Sequence, residues 1–299
     1  MIIIDFSGCA ISNILAFKSD LQNSSDEKIT DLARHTILST ILSYKKKYGK
    51  KYGEVVIACD GRKYWRKDVF EHYKANRKKN RDNSDINWTS LFSALETVKK
   101  ELSETFPFKV IEIQEAEADD IISVLAKWSQ TNDIGDSFFD ADPKPFMIIS
   151  ADNDFIQLQK YKNVSQWSYM TKKAIVATQK EVKDKLLEHT VRGDGGDGVP
   201  NIFSRDDCFV NGIRQTPVSR KRLDEFLELG YEACRNDEER RNWQRNELLV
   251  NLDKIPEWVE TKIMSEFNGL TPKCDLNAIM EYFMKNNCRL LLDEVENFK

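Results

Sequence analysis

A chain of 299 residues can bury a sizeable core, as one large domain or two smaller ones, and its formal charge of −4 hides a segregation of acids at strand ends from bases at 45–51 and 62–81. The global charge therefore excludes no polyanionic partner, because local charge decides. Six scattered cysteines without a C-x-x-C pair or a histidine at ligand spacing exclude a disulfide scaffold or zinc finger, and no apolar run approaches the roughly 18 residues of a membrane span, so a soluble, unprocessed, reduced cytoplasmic protein is expected.

In chain order, short β-branched runs predict strands at Ile2 to Phe6, Val55 to Cys59, Lys109 to Gln114 and Phe146 to Ser150, with a fifth at Val164 to Trp167. An acidic, serine-rich connection separates the first strand from a helix near Thr30 to Tyr48. Helical spacing recurs over Trp88 to Leu102 and Glu117 to Ser129, and a polar loop follows at Thr131 to Lys144. Strands alternating with helices imply an α/β domain with a parallel sheet over about 1–180. Beyond about Glu181 the segments near Lys183 to Val191, Ser219 to Leu229, Asp237 to Val250, Pro256 to Phe267 and Leu276 to Asn287 read as helices without strands between them. A smaller α-helical domain, 181–299, is expected to pack against the sheet.

Acids stand where the strands stop: Asp5, Asp60, and Asp152 with Asp154. Parallel sheets bind ligands at their carboxyl ends, so these side chains should converge. Glu115, Glu117, Asp119 and Asp120 open the Glu117 helix, and Asp194 and Asp197 flank a glycine-rich turn. Carboxylates this dense repel one another unless cations lie between them. Each element alone has a bland explanation, a turn, a cap or a solvated helix start. Their joint occurrence at one edge points to Asp5, Asp60, Glu117, Asp119, Asp120, Asp152, Asp154, Asp194 and Asp197 as ligands or water holders for two Mg²⁺ ions, with Mn²⁺ as a substitute.

Directly after Asp60, the stretch Arg62-Lys63-Tyr64-Trp65-Arg66-Lys67 and then Tyr73-Lys74-Ala75-Asn76-Arg77-Lys78-Lys79 mixes cations with rings. Cations hold phosphates without reading sequence, and rings offer bases a stacking surface. The alternative is a solvated charged helix. Arg62, Trp65, Arg66, Tyr73, Lys74, Arg77, Lys78 and Lys79 are thus nucleic-acid-binding candidates within a basic arch of about 62–90. Lys74 and Arg77, three apart on an expected helix face, are placed to clamp a scissile phosphate. The turn Arg192-Gly193-Asp194-Gly195-Gly196-Asp197-Gly198-Val199-Pro200 lets main chain approach closely, which marks Gly195, Gly196 and Gly198 as phosphate contacts, unless the turn merely connects two helices.

Together these residues resemble the 5' nuclease superfamily: flap endonucleases, the 5'-exonuclease domains of bacterial DNA polymerases, and especially the RNase H group of T-even-like phages. The matching pieces are Ile4-Asp5-Phe6-Ser7, Asp60 with Tyr64-Trp65-Arg66 and Tyr73-Lys74-Ala75-Asn76-Arg77, Glu117-Ala118-Asp119-Asp120, Ser150-Ala151-Asp152-Asn153-Asp154-Phe155, and Gly193-Asp194 through Asp197-Gly198-Val199-Pro200. They keep the family's order over about the first 200 residues. The resemblance implies a PIN-like sheet domain, a helix-hairpin-helix-like element at the glycine turn, and two Mg²⁺ ions. It also implies cleavage at 5' single-stranded ends or flaps of DNA and of RNA–DNA hybrid, as in removing RNA primers during lagging-strand replication. Asp119 and Asp152 with Lys74 and Arg77 would carry catalysis, and Tyr73 would offer a stacking platform. Single-strand-binding protein and a sliding clamp are the implied replication partners, a monomer the default, and the host cytoplasm the location for a phage product. Glu115 is an extra acid in this motif, and the likeness weakens after Asn201. The rival readings are a catalytically silent structure-specific DNA-binding protein and a PIN-type single-strand ribonuclease.

Overall fold

The computed structural model describes residues 1–17, 24–77, 86–130 and 143–299. Six strands form one sheet in the order β3-β2-β1-β4-β5-β6, where β1 is Ile2–Asp5, β2 Val55–Cys59, β3 Lys109–Glu112, β4 Phe146–Ile149, β5 Val164–Ser168 and β6 Lys173–Ile175. The first five are parallel, with Ile4 opposite both Ile57 and Ile149, and β6 turns back antiparallel. Strands buried on both faces need apolar residues at every position, which is why β1, β2 and β4 read as unbroken runs. Alternate side chains then serve two cores: Ile2, Ile4, Val55 and Ile57 face one, Ile3, Val56, Phe146 and Ile148 the other. The five expected strands are present, while β6 escaped because K-A-I is largely solvent-facing and too short to show alternation.

Helices α1 (Phe6–Leu15), α2 (Asp26–Tyr52), α3 (Trp65–Val69), α4 (Trp88–Thr105) and α5 (Ala118–Trp128) complete this unit. α1, α2 and α4 contribute to the first core and α5 to the second. Phe6, expected to end the first strand, and residues 7–15, expected to be connection, are helix. Gly8, Ser7, Ser12 and Asn13 dilute the helical signal, but Asp5 caps the segment by accepting from Gly8 N at 3.2 Å. The far longer α2 carries its own signals: Ser25 at the N-cap, Asp26 and Glu27 in the first turn, Lys50 and Lys51 in the last, and Gly53 beyond at φ 82°.

After β6 come α6 (Gln179–Arg192), α7 (Cys208–Asn211), α8 (Arg220–Leu229), α9 (Asp237–Val250), α10 (Glu257–Gly269) and α11 (Leu276–Lys285), then a 3-10 segment Arg289–Phe298. They do not form one body. Val191, Ile202, Leu223, Phe226 and Trp243 make a separate small core, whereas Val259, Ile263 and Phe267 of α10 join the α5 face of the sheet. Ile279, Phe283, Leu291 and Phe298 join the α2 face, where the rings of Phe106 and Phe298 lie 5.3 Å apart. The helical region expected over 181–299 is thus divided, its last part returning to the sheet. Among the described residues no helix is long and apolar enough to cross a membrane, and all six cysteines are free.

Gly61 follows the Asp60 strand end under backbone, donating its N–H to Ala116 O at 2.9 Å. A Cβ there would overlap the carbonyl of Ile113 and meet that of Gln114 at 2.8 Å. Gly61→Ala is expected to cost about 2 kcal/mol or more, since main chain must move. A urea midpoint unchanged from wild type would show that the loop has room.

Candidate active site

Because β1, β2 and β4 run parallel, their carboxyl ends share one edge, and strand order reverses between β1 and β4 at the point where such sheets leave a crevice. Asp5 ends β1, Asp60 follows β2 and Asp152 follows β4. Asp119 enters from the first turn of α5. These four line a cleft of about 620 Å³ together with Lys74 and Arg77. Hydrogen bonds set their directions: Ser150 Oγ donates to Asp5 Oδ2 at 2.9 Å, Ala118 N to Asp60 Oδ1 at 3.1 Å, and Asp154 N to Asp152 Oδ1 at 2.8 Å. Gly8 must lack a side chain, since a Cβ would sit 2.7 Å from Asp5 Oδ2 and 2.6 Å from the Tyr169 hydroxyl.

Burial and then the Asp60 carboxylate push Asp5 up to about 6, against the hydrogen bonds it receives from Ser150 and Gly8. Burial and then Asp154 raise Asp152 to about 6, and burial and then Asp152 hold Asp119 well above the usual carboxylate range. The cations nearby are engaged with other acids. Lys74 pairs with Glu117 and reaches Asp197 at 3.6 Å, and Arg77 pairs with Asp197. Among the described residues, Asp5, Asp60, Asp119 and Asp152 have no ion-pair partner. Four hard oxygen donors converging without a protein cation are the donor set that a small divalent ion takes.

A layer behind the cleft holds it in place. Glu117, 1% exposed, accepts from Arg66 at 2.8 Å, from the Tyr73 hydroxyl at 3.0 Å, and from Lys74. Asp120, fully buried, accepts from Trp65 Nε1 at 3.1 Å and pairs with Arg66 at 2.8 Å. Lys74 adopts φ 58° and donates its main-chain N–H to Asp197 O at 2.7 Å, so this residue is held in a conformation that side-chain-bearing residues rarely adopt. Burial works against its charge, yet Glu117 and Asp197 keep the ammonium above its ordinary range.

Several sequence expectations change here. Trp65, Arg66 and Tyr73 are buried, which removes them as surface contacts for nucleic acid, and Tyr73 offers no stacking face. Asp120 is turned to Arg66 and Trp65 and does not line the cleft. Lys74 and Arg77 meet at Asp197 through a turn, since residues 71–75 are not helical. Phe70 and Tyr73 pack with Val199, Leu249 and Val250, so the first part of the expected arch lies against the helical unit. Gly198 is buried against His72 and Asn76, whereas Gly195 and Gly196 are exposed. The Gly196 N–H is already given to Asp194 Oδ1 at 2.7 Å. Arg62 is exposed, and Glu115 pairs with Lys262 at 2.9 Å, outside the lining of the cleft. Lys78 and Lys79, with most of the rest of the arch, and nearly all of the 131–144 loop lie outside the described residues.

Sequence reasoning passed over His189, whose Nδ1 is 3.1 Å from Asp154 Oδ1 and whose Nε2 is 3.7 Å from Asp194 Oδ2. Its one signal was a place in the last turn of the helix that runs into the glycine turn, five residues before Asp194. Burial alone would lower its pKa, but the two aspartates reverse this and raise it to about 10. Also missed were Asn242 and Asn246 on α9, both fully buried, which donate to Ile202 O, Thr190 O and Pro200 O at 2.9 Å and fix the chain on either side of the glycine turn.

A model of the 5'-3' exonuclease N-terminal, resolvase-like domain matches residues 1–187. The ribonuclease H of Enterobacteria phage T4 is 31% identical over 307 residues, covering 99% of this chain and 95% of that protein. The chain belongs to the 5'-3' exonuclease family. Another relative, the flap endonuclease Xni of Shewanella woodyi, is 30% identical over 46% of this chain and 49% of its own length. The fold is shared with the T5 5'-exonuclease, whose metal-ion co-crystal aligns at a TM-score of 0.61 and 17% identity, over 89% of this chain and 97% of the T5 chain. A T5 flap endonuclease complex with DNA and metal ions aligns at 0.57 with the same identity and coverage. The expected 5' nuclease resemblance and PIN-like α/β sheet are therefore borne out. The family is one of nucleases, and the T5 proteins that share its fold were crystallised with metal ions.

The raised carboxylates give a pH prediction. An aspartate whose folded pKa lies above its unfolded value takes up protons on folding, so Asp5 and Asp152 cost stability as pH rises toward about 6. His189 acts in the same sense, its contribution complete below 6.5 and lost as pH rises to about 10. Burial works against the Asp194 charge, but His189 and the N–H groups of the turn hold its carboxyl below the ordinary range, so its contribution is lost only below about pH 3.8. In EDTA the melting temperature should fall from about pH 5 to about pH 7, and millimolar Mg²⁺ at the upper pH should raise it again. A melting temperature that climbs over this interval without metal would contradict the burial assigned to these acids.

Proposed function

We propose that the chain is a Mg²⁺-dependent 5'-3' nuclease that removes RNA primers, adjacent DNA and 5' flaps during lagging-strand synthesis. The observation that carries this reading is the single cleft in which Asp5, Asp60, Asp119 and Asp152 face Lys74 and Arg77. Its all-oxygen donor set suits Mg²⁺, with Mn²⁺ as a substitute. Asp154 and Asp194 would serve a second ion, with Asp197 beside them held by Arg77 and Lys74. When bound, such ions supply an activated water and offset charge at a phosphodiester.

The chain's own residues do the rest. Glu117, sealed by Arg66 and Tyr73, positions Lys74 at the cleft, where its ammonium and the Arg77 guanidinium face the place of a scissile phosphate and stabilise its developing charge. Arg62 and the exposed Gly195-Gly196 corner, part of a helix-hairpin-helix-like element, meet backbone phosphates away from the reacting bond. In this reading 1–180 is the catalytic domain, with α10, α11 and the 3-10 segment added to its cover, and the remaining helices hold duplex. A monomer is the working unit, and single-strand-binding protein and a sliding clamp are the partners to test.

The deciding experiment offers a nicked duplex with a 5' flap, and an RNA–DNA hybrid, each 5'-labelled, with Mg²⁺ or EDTA. Metal-dependent release of short 5' products is expected from both. Tight binding without cleavage would favour a silent DNA-binding protein, and cleavage of single-stranded RNA alone a PIN-type ribonuclease.

A further inference from the structure

Asp154, His189 and Asp194 each offer a ligand atom within 4.8 Å of the other two, and all three are half-buried. Their donors are oriented. Asp194 Oδ1 is taken by the N–H groups of Gly196 at 2.7 Å and Asp197 at 3.1 Å, which leaves Oδ2 facing the imidazole. Asp154 sits at the Nδ1 side of the ring, 3.1 Å away, so Nδ1–H is held there and Nε2 is aimed toward Asp194. Two carboxylates around one imidazole carry a net charge of about −1 when the ring is protonated and about −2 when it is not. Asp197 next to them is already matched by Arg77 and Lys74. Asp154 and His189 also border an opening of about 320 Å³ flanked by Lys185 and Arg192, separate from the four-acid cleft.

We infer that His189 is a direct ligand of the second ion, and that this position takes a borderline transition-metal dication such as Mn²⁺ in preference to Mg²⁺. The inference rests on the metal-dependent reading of the site. Mg²⁺ prefers oxygen donors and retains its waters, whereas an imidazole nitrogen adds affinity along the series from Mn²⁺ to Zn²⁺. Once the Nε2 proton has left to solvent, Nε2 and Asp194 Oδ2 would hold the dication, while Nδ1–H stays on Asp154. The four-acid cleft has no nitrogen ligand among its lining acids and keeps its oxygen-only selectivity.

The full chain is titrated with Mn²⁺ while electron spin-echo envelope modulation reports nitrogen coupling, and is then challenged with Mg²⁺. One class of bound Mn²⁺ should carry nitrogen coupling and resist Mg²⁺ on the order of tenfold better than the other. His189→Gln should abolish both properties with an unchanged circular dichroism spectrum, and His189→Asn takes its place if the glutamine variant does not fold. Wild-type Mn²⁺ without nitrogen coupling, or Mg²⁺ competition that is indifferent to loss of the imidazole, overturns the inference. Asp5→Asn separates the two readings, because it should remove cleft Mn²⁺ and cleavage while sparing the nitrogen-coupled ion. If it alters neither the Mn²⁺ count nor cleavage, the cleft reading fails instead.

Discussion

Asp152→Asn should lower cleavage of a 5'-flap substrate about 10³-fold or more, the scale of roughly 4 kcal/mol of lost transition-state stabilisation, with little change in DNA affinity. The amide has the carboxylate's shape, and its oxygen can still accept the Asp154 N–H now given to Asp152 Oδ1 at 2.8 Å. The main-chain N–H that binds Ser150 Oγ at 3.1 Å is untouched. What disappears is one negative charge from a cleft whose four acids make no ion pair among the described residues, since Lys74 and Arg77 pair with Glu117 and Asp197. Removing that charge relieves repulsion toward a phosphate backbone as it weakens ion binding, so affinity and rate should part company. The check is single-turnover cleavage beside a binding isotherm taken in EDTA. A rate within tenfold of wild type would remove Asp152 from the catalytic set.

The largest stability effect is expected at Arg66→Ala. Arg66, 3% exposed, joins Glu117 and Asp120, each at 2.8 Å, and donates Nε–H to Leu249 O at 2.9 Å. It therefore ties α3, the start of α5 and the end of α9 together. Truncating one partner of a buried pair strands the others, which typically costs about 3–5 kcal/mol. Glu117 would keep Tyr73 and Lys74, but Asp120 would keep only Trp65 and its backbone contact. Arg66→Lys should recover little, since an ammonium cannot reach both acids and the carbonyl with one planar fork. Equilibrium urea unfolding measures this, and a loss below about 1 kcal/mol would mean the acids find other partners or water.

The parallel sheet was legible because Ile2–Ile4, Val55–Cys59 and Phe146–Ile149 are buried on both faces and carry no polar interruption. Once those strands are parallel, convergence of Asp5, Asp60 and Asp152 follows from geometry, and the helix start at Ala118 brings in Asp119. The roles inside the basic stretch were not legible. Trp65 and Arg66 have the composition of a nucleic-acid contact, and nothing local tells that Asp120 and Glu117 lie opposite them in space. Burial of a charged side chain depends on such long-range partners, here more than 50 positions away in sequence. The same holds for His189, which lies close to Asp194 in sequence but meets Asp154 only when α6 packs on the segment after β4. The divided fate of the helices after 181 was hidden for a third reason: amphipathic spacing shows that a helix has a buried face but not what it is buried against.

The return of the last helices to the sheet has a consequence for how the protein is made. Synthesis proceeds from the N-terminus, and α10, α11 and Phe298 supply parts of both sheet faces. Until they emerge, Phe106 and Phe108 on one side and the α5 face on the other stay open to solvent, and a nascent chain that has already made every acid of the cleft cannot yet finish either core. Contacts spanning nearly 200 positions, such as the rings of Phe106 and Phe298 at 5.3 Å, make closure a late and slow event. Catalytic competence should therefore arise only after the final residues are released, in one step with completion of the fold.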